Sequence, residues 1–138
     1  MTYFVDANVF LRTLIEEDKK AHKECIMFLR GVKNNKHRAV TSWLILSEVA
    51  WTLASYYEFS RLEVVKAIKG VLGLGGLRVK DDYDPVVAME LYEKWGVKFI
   101  DAVVASNRRL RDRKWTVISY DHDFDKLGVL RLSPGQVI

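Results

Sequence analysis

The sequence predicts an α/β fold, a three-layer α/β/α sandwich with a central, mostly parallel sheet of about five short strands. Two observations carry this. Short and mostly apolar runs, Tyr3-Phe4-Val5, Ala39-Val40-Thr41, Leu77-Arg78-Val79, Trp115-Thr116-Val117-Ile118 and Val129 to Leu132, recur along the chain. Between them lie longer segments whose apolar residues repeat with helical period, and strands separated by helices pair in parallel with both faces covered. With 138 residues, 49% of them hydrophobic, the chain is expected to form one domain over residues 1–138.

The first run stops at Asp6-Ala7-Asn8, which puts Asp6 at the carboxyl end of a strand and ahead of a helical pattern from Val9 to Ile15. A charged helix is expected from about Lys19 to Asn34. It carries the single cysteine, Cys25, in line with Ala21, Phe28, Leu29 and Val32, a core-packing position. The second strand leads into a helix from Trp43 to Tyr57 that contains Glu48. Ser60-Arg61-Leu62-Glu63 ahead of Val64, Val65, Ile68, Val71 and Leu72 has the pattern of a capping box and fixes another helix start. Gly73, Gly75 and Gly76 precede the third strand; Asp84-Pro85 then opens a helix with a cap and a proline at its first position, and Gly96 closes it. Phe99 to Arg111 reads as one helix with Asp101 in its first turn, followed by the strand 115–118, a loop from Ser119 to Phe124 and a last, edge strand.

Lys and Arg number 22 against 18 Asp plus Glu, a net charge of +4 that suits a polyanionic partner without requiring one. No stretch approaches the roughly 18 apolar residues of a membrane span. Met1 to Val9 carries Asp6 instead of a basic and then apolar leader, so a cytoplasmic protein with no membrane partner is expected. There is no low-complexity segment and no internal repeat.

Asp6 and Asp121 each follow a strand directly, where an open α/β sheet presents its binding crevice. Glu48 interrupts an apolar helix among Leu44, Ile45, Leu46, Val49 and Leu53, and Asp101 stands between Phe99-Ile100 and Ala102-Val103-Val104-Ala105. Carboxylates in such surroundings are costly unless a cation compensates them. Acids without a Cys or His cluster suit Mg2+ or Mn2+ and not structural zinc, and these ions position phosphates and activate water, which is the chemistry of phosphodiester hydrolysis. Singly, each acid has a structural alternative: Asp6 and Asp101 as helix caps, Glu48 paired with a lysine, Asp121 and Asp123 solvating a loop. His22 and His37 lack metal-ligand spacing and read as surface residues, whereas for His122, bordering the acids, both roles stay open.

Val5-Asp6-Ala7-Asn8, Ser47-Glu48-Val49, Phe99-Ile100-Asp101-Ala102 and Ser119-Tyr120-Asp121-His122-Asp123-Phe124 occur in that order across almost the whole chain. The ordered set resembles the PIN domain family, and within it the VapC-type toxins of toxin–antitoxin pairs. The resemblance implies a Mg2+- or Mn2+-dependent endoribonuclease that cleaves RNA phosphodiester bonds. It implies Asp6, Glu48, Asp101 and Asp121 as catalytic and metal-binding acids, Asp123 as a further ligand or a group behind them, and Asn8 and Ser119 in support. Ala7 departs from the hydroxyl residue that many relatives carry there. A VapB-type antitoxin and a homodimer are implied as partners, and Phe28, Trp43, Trp51, Tyr56, Tyr57 and Phe59 are more aromatic residues than a small core obviously needs, with internal packing as the alternative for each. Arg108, Arg109, Arg111, Arg113 and Lys114, just before the strand leading to Asp121, are expected to contact RNA, with Lys33, Lys36, His37 and Arg38 as a second patch; the alternative for both is a solvated helix end. Two further alternatives stand beside the toxin: a housekeeping PIN nuclease in RNA processing or ribosome maturation, and a catalytically silent RNA-binding module. An aspartyl-phosphate receiver ranks last, since Ser119-Tyr120-Asp121 occupies the place of its late-strand lysine.

Overall fold

The computed structural model describes residues 1–137. Strands β1 (Thr2–Val5), β2 (Arg38–Thr41), β3 (Leu77–Val79), β4 (Trp115–Ile118) and β5 (Leu130–Leu132) form one sheet in the order β3-β2-β1-β4-β5, every pair parallel. The connecting helices are α1 (Ala7–Leu14), α2 (Lys19–Lys33), α3 (Trp43–Ser55), α4 (Arg61–Leu72), α5 (Pro85–Trp95), α6 (Phe99–Ala105), α7 (Arg108–Arg111) and α8 (Asp123–Lys126). From β1 the chain steps outward to β2 and β3, then returns past β1 to β4 and β5. Because parallel crossovers are right-handed, opposite directions of travel put their helices on opposite faces. Accordingly α1 packs against α2 and α3, and α3 against α4, while α6 packs against α5 and α8. This is the α/β/α sandwich that the alternating pattern predicts. The strand order reverses between β1 and β4, and the ligand crevice of such a sheet lies at the carboxyl ends flanking that reversal.

Phe4, Val5, Val117 and Ile118, all fully buried, fill the two central strands, which is why those segments are apolar at consecutive positions and not only at alternate ones. The buried Thr41 hydroxyl donates to the Val5 carbonyl at 3.0 Å and ties the end of β2 to that of β1. At α4 both halves of the capping box are present: Ser60 Oγ accepts from the Glu63 backbone at 3.1 Å and Glu63 Oε1 from the Ser60 backbone at 2.9 Å. Gly96 ends α5 at φ 63°, a left-handed conformation that glycine adopts without a Cβ clash.

Four expectations need correction. The segment Phe99 to Arg111 is two helices, broken at Ser106-Asn107, because Asn107 Oδ1 accepts from the Arg109 and Leu110 backbones at 2.9 and 3.2 Å and starts a new turn. The loop after β4 is shorter than Ser119 to Phe124: Asp121 Oδ1 accepts from the Asp123 backbone at 2.9 Å, and one helical turn, α8, begins there. His37 is not a surface residue but is half-buried and stacked on Phe28 with ring centroids 5.5 Å apart, where burial and then the charge of Lys36 lower its pKa. His22, also half-buried, sets Nδ1 2.7 Å from the Arg12 carbonyl. Among the described residues no helix is long and apolar enough to cross a membrane.

Candidate active site

Asp6 continues the ladder beyond β1, its backbone N–H donating to the Ile118 carbonyl at 3.1 Å, which fixes it at the seam between β1 and β4. Its two carboxylate oxygens divide the work. Oδ1 caps α1 by accepting from the Ala7 backbone at 2.8 Å, and Oδ2 accepts from the Ser119 hydroxyl at 2.6 Å and more loosely from Asn8 Nδ2 at 3.4 Å. The helix-cap role and a place in the crevice are therefore compatible. Ser119 Oγ also accepts from Asn8 Nδ2 and from the Asp121 backbone, both at 3.0 Å, so one hydroxyl links the ends of β1 and β4. Asp6 is 6% exposed, and burial raises its pKa against the lowering effect of these donors.

Asp101 enters from the first turn of α6. It is 2% exposed, and its Oδ2 is buried without a donor. Desolvation, followed by the charge of Asp6, pushes its pKa up to about 8. Asp121 is half-buried at the end of β4; burial acts to raise its pKa, but the Asp123 backbone N–H, a hydrogen bond from Asp101 and the nearby Lys98 together hold it below the usual carboxylate range. Asp101, Asp121 and Asp123 offer oxygens that all lie within 4.8 Å of one another. Glu48, half-buried on α3, faces the same crevice: burial raises its pKa, as do the charges of Asp6 and Asp121. No ion pair to a lysine is formed by Glu48 among the described residues. Carboxylates forced together, one of them with a donorless buried oxygen, fit a hard divalent cation with oxygen ligands.

The basic residues fall differently. Arg108, Arg109, Arg111, Arg113 and Lys114 precede β4, and the acids follow its far end, about 13 Å away at the usual strand rise. Arg111 donates to the Leu127 carbonyl, and Arg109 lies over the Trp115 ring at 5.3 Å. Lys33, Lys36 and Arg38 likewise sit at the amino end of β2. Nearness in sequence to the strand does not carry either cluster to the acids, because a strand displaces its ends by its own length. His122 is exposed and turned to Asp125, its Nδ1 3.2 Å from that carboxylate.

Two basic groups that sequence reasoning missed lie at this end of the sheet. Lys98 Nζ is 3.4 Å from Asp121 Oδ2. Its signal was a charge inside the apolar run Val97-Lys98-Phe99-Ile100, one turn before Asp101. Arg131 on β5 donates to the Ser119 carbonyl at 3.0 Å and to Asp125 at 3.0 Å, bracing the loop that carries Asp121.

Of the aromatic residues, Phe28 is core, while Trp43 and Trp51 on one side of α3 are 56% and 69% exposed. Between α1, α2 and α4 runs a groove of about 810 Å³, floored by Phe10, Leu29, Phe59, Val71 and Leu74 and bordered by the exposed Arg30, Lys33, Lys66 and Glu63.

The PIN domain family matches residues 3–130 of the chain. Its fold is similar to that of PAE2754 from Pyrobaculum aerophilum, at a TM-score of 0.68 and 16% identity over 99% of this chain and 92% of that one. VapC20 from Mycobacterium tuberculosis, a sarcin-ricin loop cleaving toxin, matches at a TM-score of 0.65 and 18% identity over 93% and 96%. VapBC2 from Rickettsia felis, solved on a DNA fragment from its promoter, matches at 0.63 and 14% over 96% and 98%. No curated protein sequence matches the chain.

Proposed function

The chain belongs to the PIN domain family, and from that premise we propose that it is a divalent-metal-dependent endoribonuclease, one nuclease domain over residues 1–138, acting in the cytoplasm as the toxin of a VapBC-type pair. The observation that carries the nuclease reading is Asp101: a buried carboxyl, one oxygen without a donor, set against Asp121 and Asp123 in a crevice shared with Asp6 and Glu48. Asp6, Asp101 and Asp121 would chiefly hold Mg2+ or Mn2+, with Asp123 beside them. Bound there, the ion supplies charge to hold the scissile phosphate and to acidify an attacking water. Asn8 and Ser119 keep Asp6 oriented, as supporting hydrogen bonds do around metal ligands. Glu48, whose burial raises its pKa and so makes its carboxylate a stronger proton acceptor, is the group that takes a proton from the water. Water attacks phosphorus directly, and no covalent enzyme intermediate is required.

Similarity to VapBC2 and VapC20 supports the toxin reading at the level of fold. An apolar floor whose border is basic at Arg30, Lys33 and Lys66 against one acid, Glu63, suits an amphipathic peptide with acidic flanks, so the groove between α1, α2 and α4 is assigned to a VapB-type antitoxin. The exposed Trp43 and Trp51 are assigned to a homodimer contact. Sedimentation of Trp51→Glu tests the latter: a wild type that is already monomeric removes it.

The decisive experiment compares purified wild type and Asp6→Asn on a mixed structured RNA, with Mn2+ and then with EDTA. Cutting by the wild type, lost in the near-isosteric variant and on chelation, is the expected result. Equal cutting by both proteins identifies a contaminant and moves the assignment to a silent RNA-binding module.

A further inference from the structure

We propose that Lys98 is the resident cation of this site and a phosphate-binding residue: its ammonium occupies Asp121 in the metal-free chain and turns to the RNA backbone when Asp121 ligates the ion. The proposal rests on the nuclease reading and adds a residue to it.

The geometry gives Lys98 a fixed base and a free head. Its carbonyl accepts from the Asp101 and Ala102 backbones at 3.1 and 3.2 Å, so its main chain opens α6 and is built into the same turn as Asp101. On one side stands the buried Val97, following the left-handed turn at Gly96. The head is different: the Lys98 side chain is 62% exposed against 21% for Asp121, so the 3.4 Å pair sits at the mouth with the carboxylate inward and the ammonium outward. An exposed pair of this kind is weak and readily exchanged. Its field also reaches inward, opposing the burial that raises the pKa of Asp6, Glu48 and Asp101 and helping to hold Asp121 low.

RNA approaching these acids meets a cluster of like charge, and the Arg108 to Lys114 segment lies at the opposite, amino end of the strands. A phosphate held beside Asp121 needs a cation within reach of a flexible stem, and a lysine ammonium is a mobile point charge suited to that. One side chain therefore plays opposite parts toward the two ligands: it competes with the metal ion and assists the RNA.

That opposition makes the test specific. Lys98→Gln and Lys98→Arg are compared with wild type by Mn2+ calorimetry without RNA, and by kcat/KM for a single-stranded RNA across a salt series. Loss of the charge in Lys98→Gln is expected to tighten Mn2+ binding roughly two- to fivefold, the strength of an exposed ion pair. The same variant lowers kcat/KM and flattens its log–log salt slope by about 0.7, one single-strand phosphate contact. Lys98→Arg keeps the wild-type slope. A merely damaged fold weakens both activities and cannot tighten the metal. Unchanged or weaker Mn2+ binding in Lys98→Gln, or an unchanged slope, overturns the assignment of Lys98 while leaving the nuclease intact. A wild type that neither binds Mn2+ nor cuts RNA overturns the nuclease reading, and this proposal with it.

Discussion

Ser119 Oγ lies 2.6 Å from Asp6 Oδ2, a hydrogen bond that joins the ends of β1 and β4 across a separation of 113 residues. Ser119 is fully buried, and its oxygen also receives Asn8 and the Asp121 backbone, so it sets the spacing of the two strand-end acids. Ser119→Ala is expected to weaken Mn2+ binding about 10- to 100-fold, the usual effect of losing a group that orients a metal ligand. Calorimetry on a variant whose circular dichroism matches wild type checks this. Undiminished affinity would remove Ser119 from its supporting role.

Asp101 gives the metal-free protein a pH dependence of definite sign. Its pKa is about 8 in the folded chain against an ordinary value of 3.8. Between those values the native state holds a proton that the unfolded state has released, so stability is lost as pH rises from about 4 toward 8. Asp6 and Glu48, raised in the same direction, add to the slope. Asp121 and Asp125, held low, act oppositely only as pH falls below their ordinary value of 3.8, and His37, also held low, does so as pH falls below its ordinary 6.5. In EDTA the Tm should therefore be lower at pH 8 than at pH 7, above the range in which His37 opposes, and Asp101→Asn should exceed wild type at pH 8. A Tm that climbs over that range contradicts the argument.

Metal binding must run against the same proton. An ion coordinated by Asp101 requires the carboxylate, so Mn2+ affinity is expected to increase from pH 6 to pH 8 with release of protons. Calorimetry in two buffers of different ionisation heat counts them. Heat independent of buffer at pH 7 would mean that Asp101 is already ionised or does not ligate.

The parts of this molecule legible in the sequence are those set by local pattern. β1 and β4 announce themselves because strands buried on both faces are apolar at consecutive positions, and Asp6 and Asp121 stand out as charges where such runs stop. What was not legible depends on groups brought from afar. The break at Ser106-Asn107 is held by Asp84, whose backbone donates to Ser106 Oγ at 3.1 Å, and by Asp82, whose carbonyl accepts from Asn107 Nδ2 at 2.8 Å, partners 22 and 25 residues away. Lys98 shows in the sequence only as a charge within Val97-Lys98-Phe99-Ile100, and its partner Asp121 is set beside it by the fold. His37 looks polar in sequence, and only the fold lays it on Phe28.

The basic cluster ahead of β4 separates two kinds of arginine. Arg108 is exposed at the amino-end edge of the sheet, away from the acids, so Arg108→Ala is expected to leave kcat/KM for RNA and its salt slope unchanged. Arg111 is half-buried, and its guanidinium donates to the Leu127 carbonyl just ahead of Gly128, which turns at φ 75° into β5. Removing it leaves that carbonyl without its donor, and a charged hydrogen bond of this kind is worth roughly 1.5–3 kcal/mol. Arg111→Ala should lower the denaturation midpoint accordingly, with kcat/KM per folded molecule little changed. If Arg108→Ala instead flattens the salt slope, RNA reaches around the sheet to its far edge, and the substrate path is longer than the crevice between Asp6 and Asp121 requires.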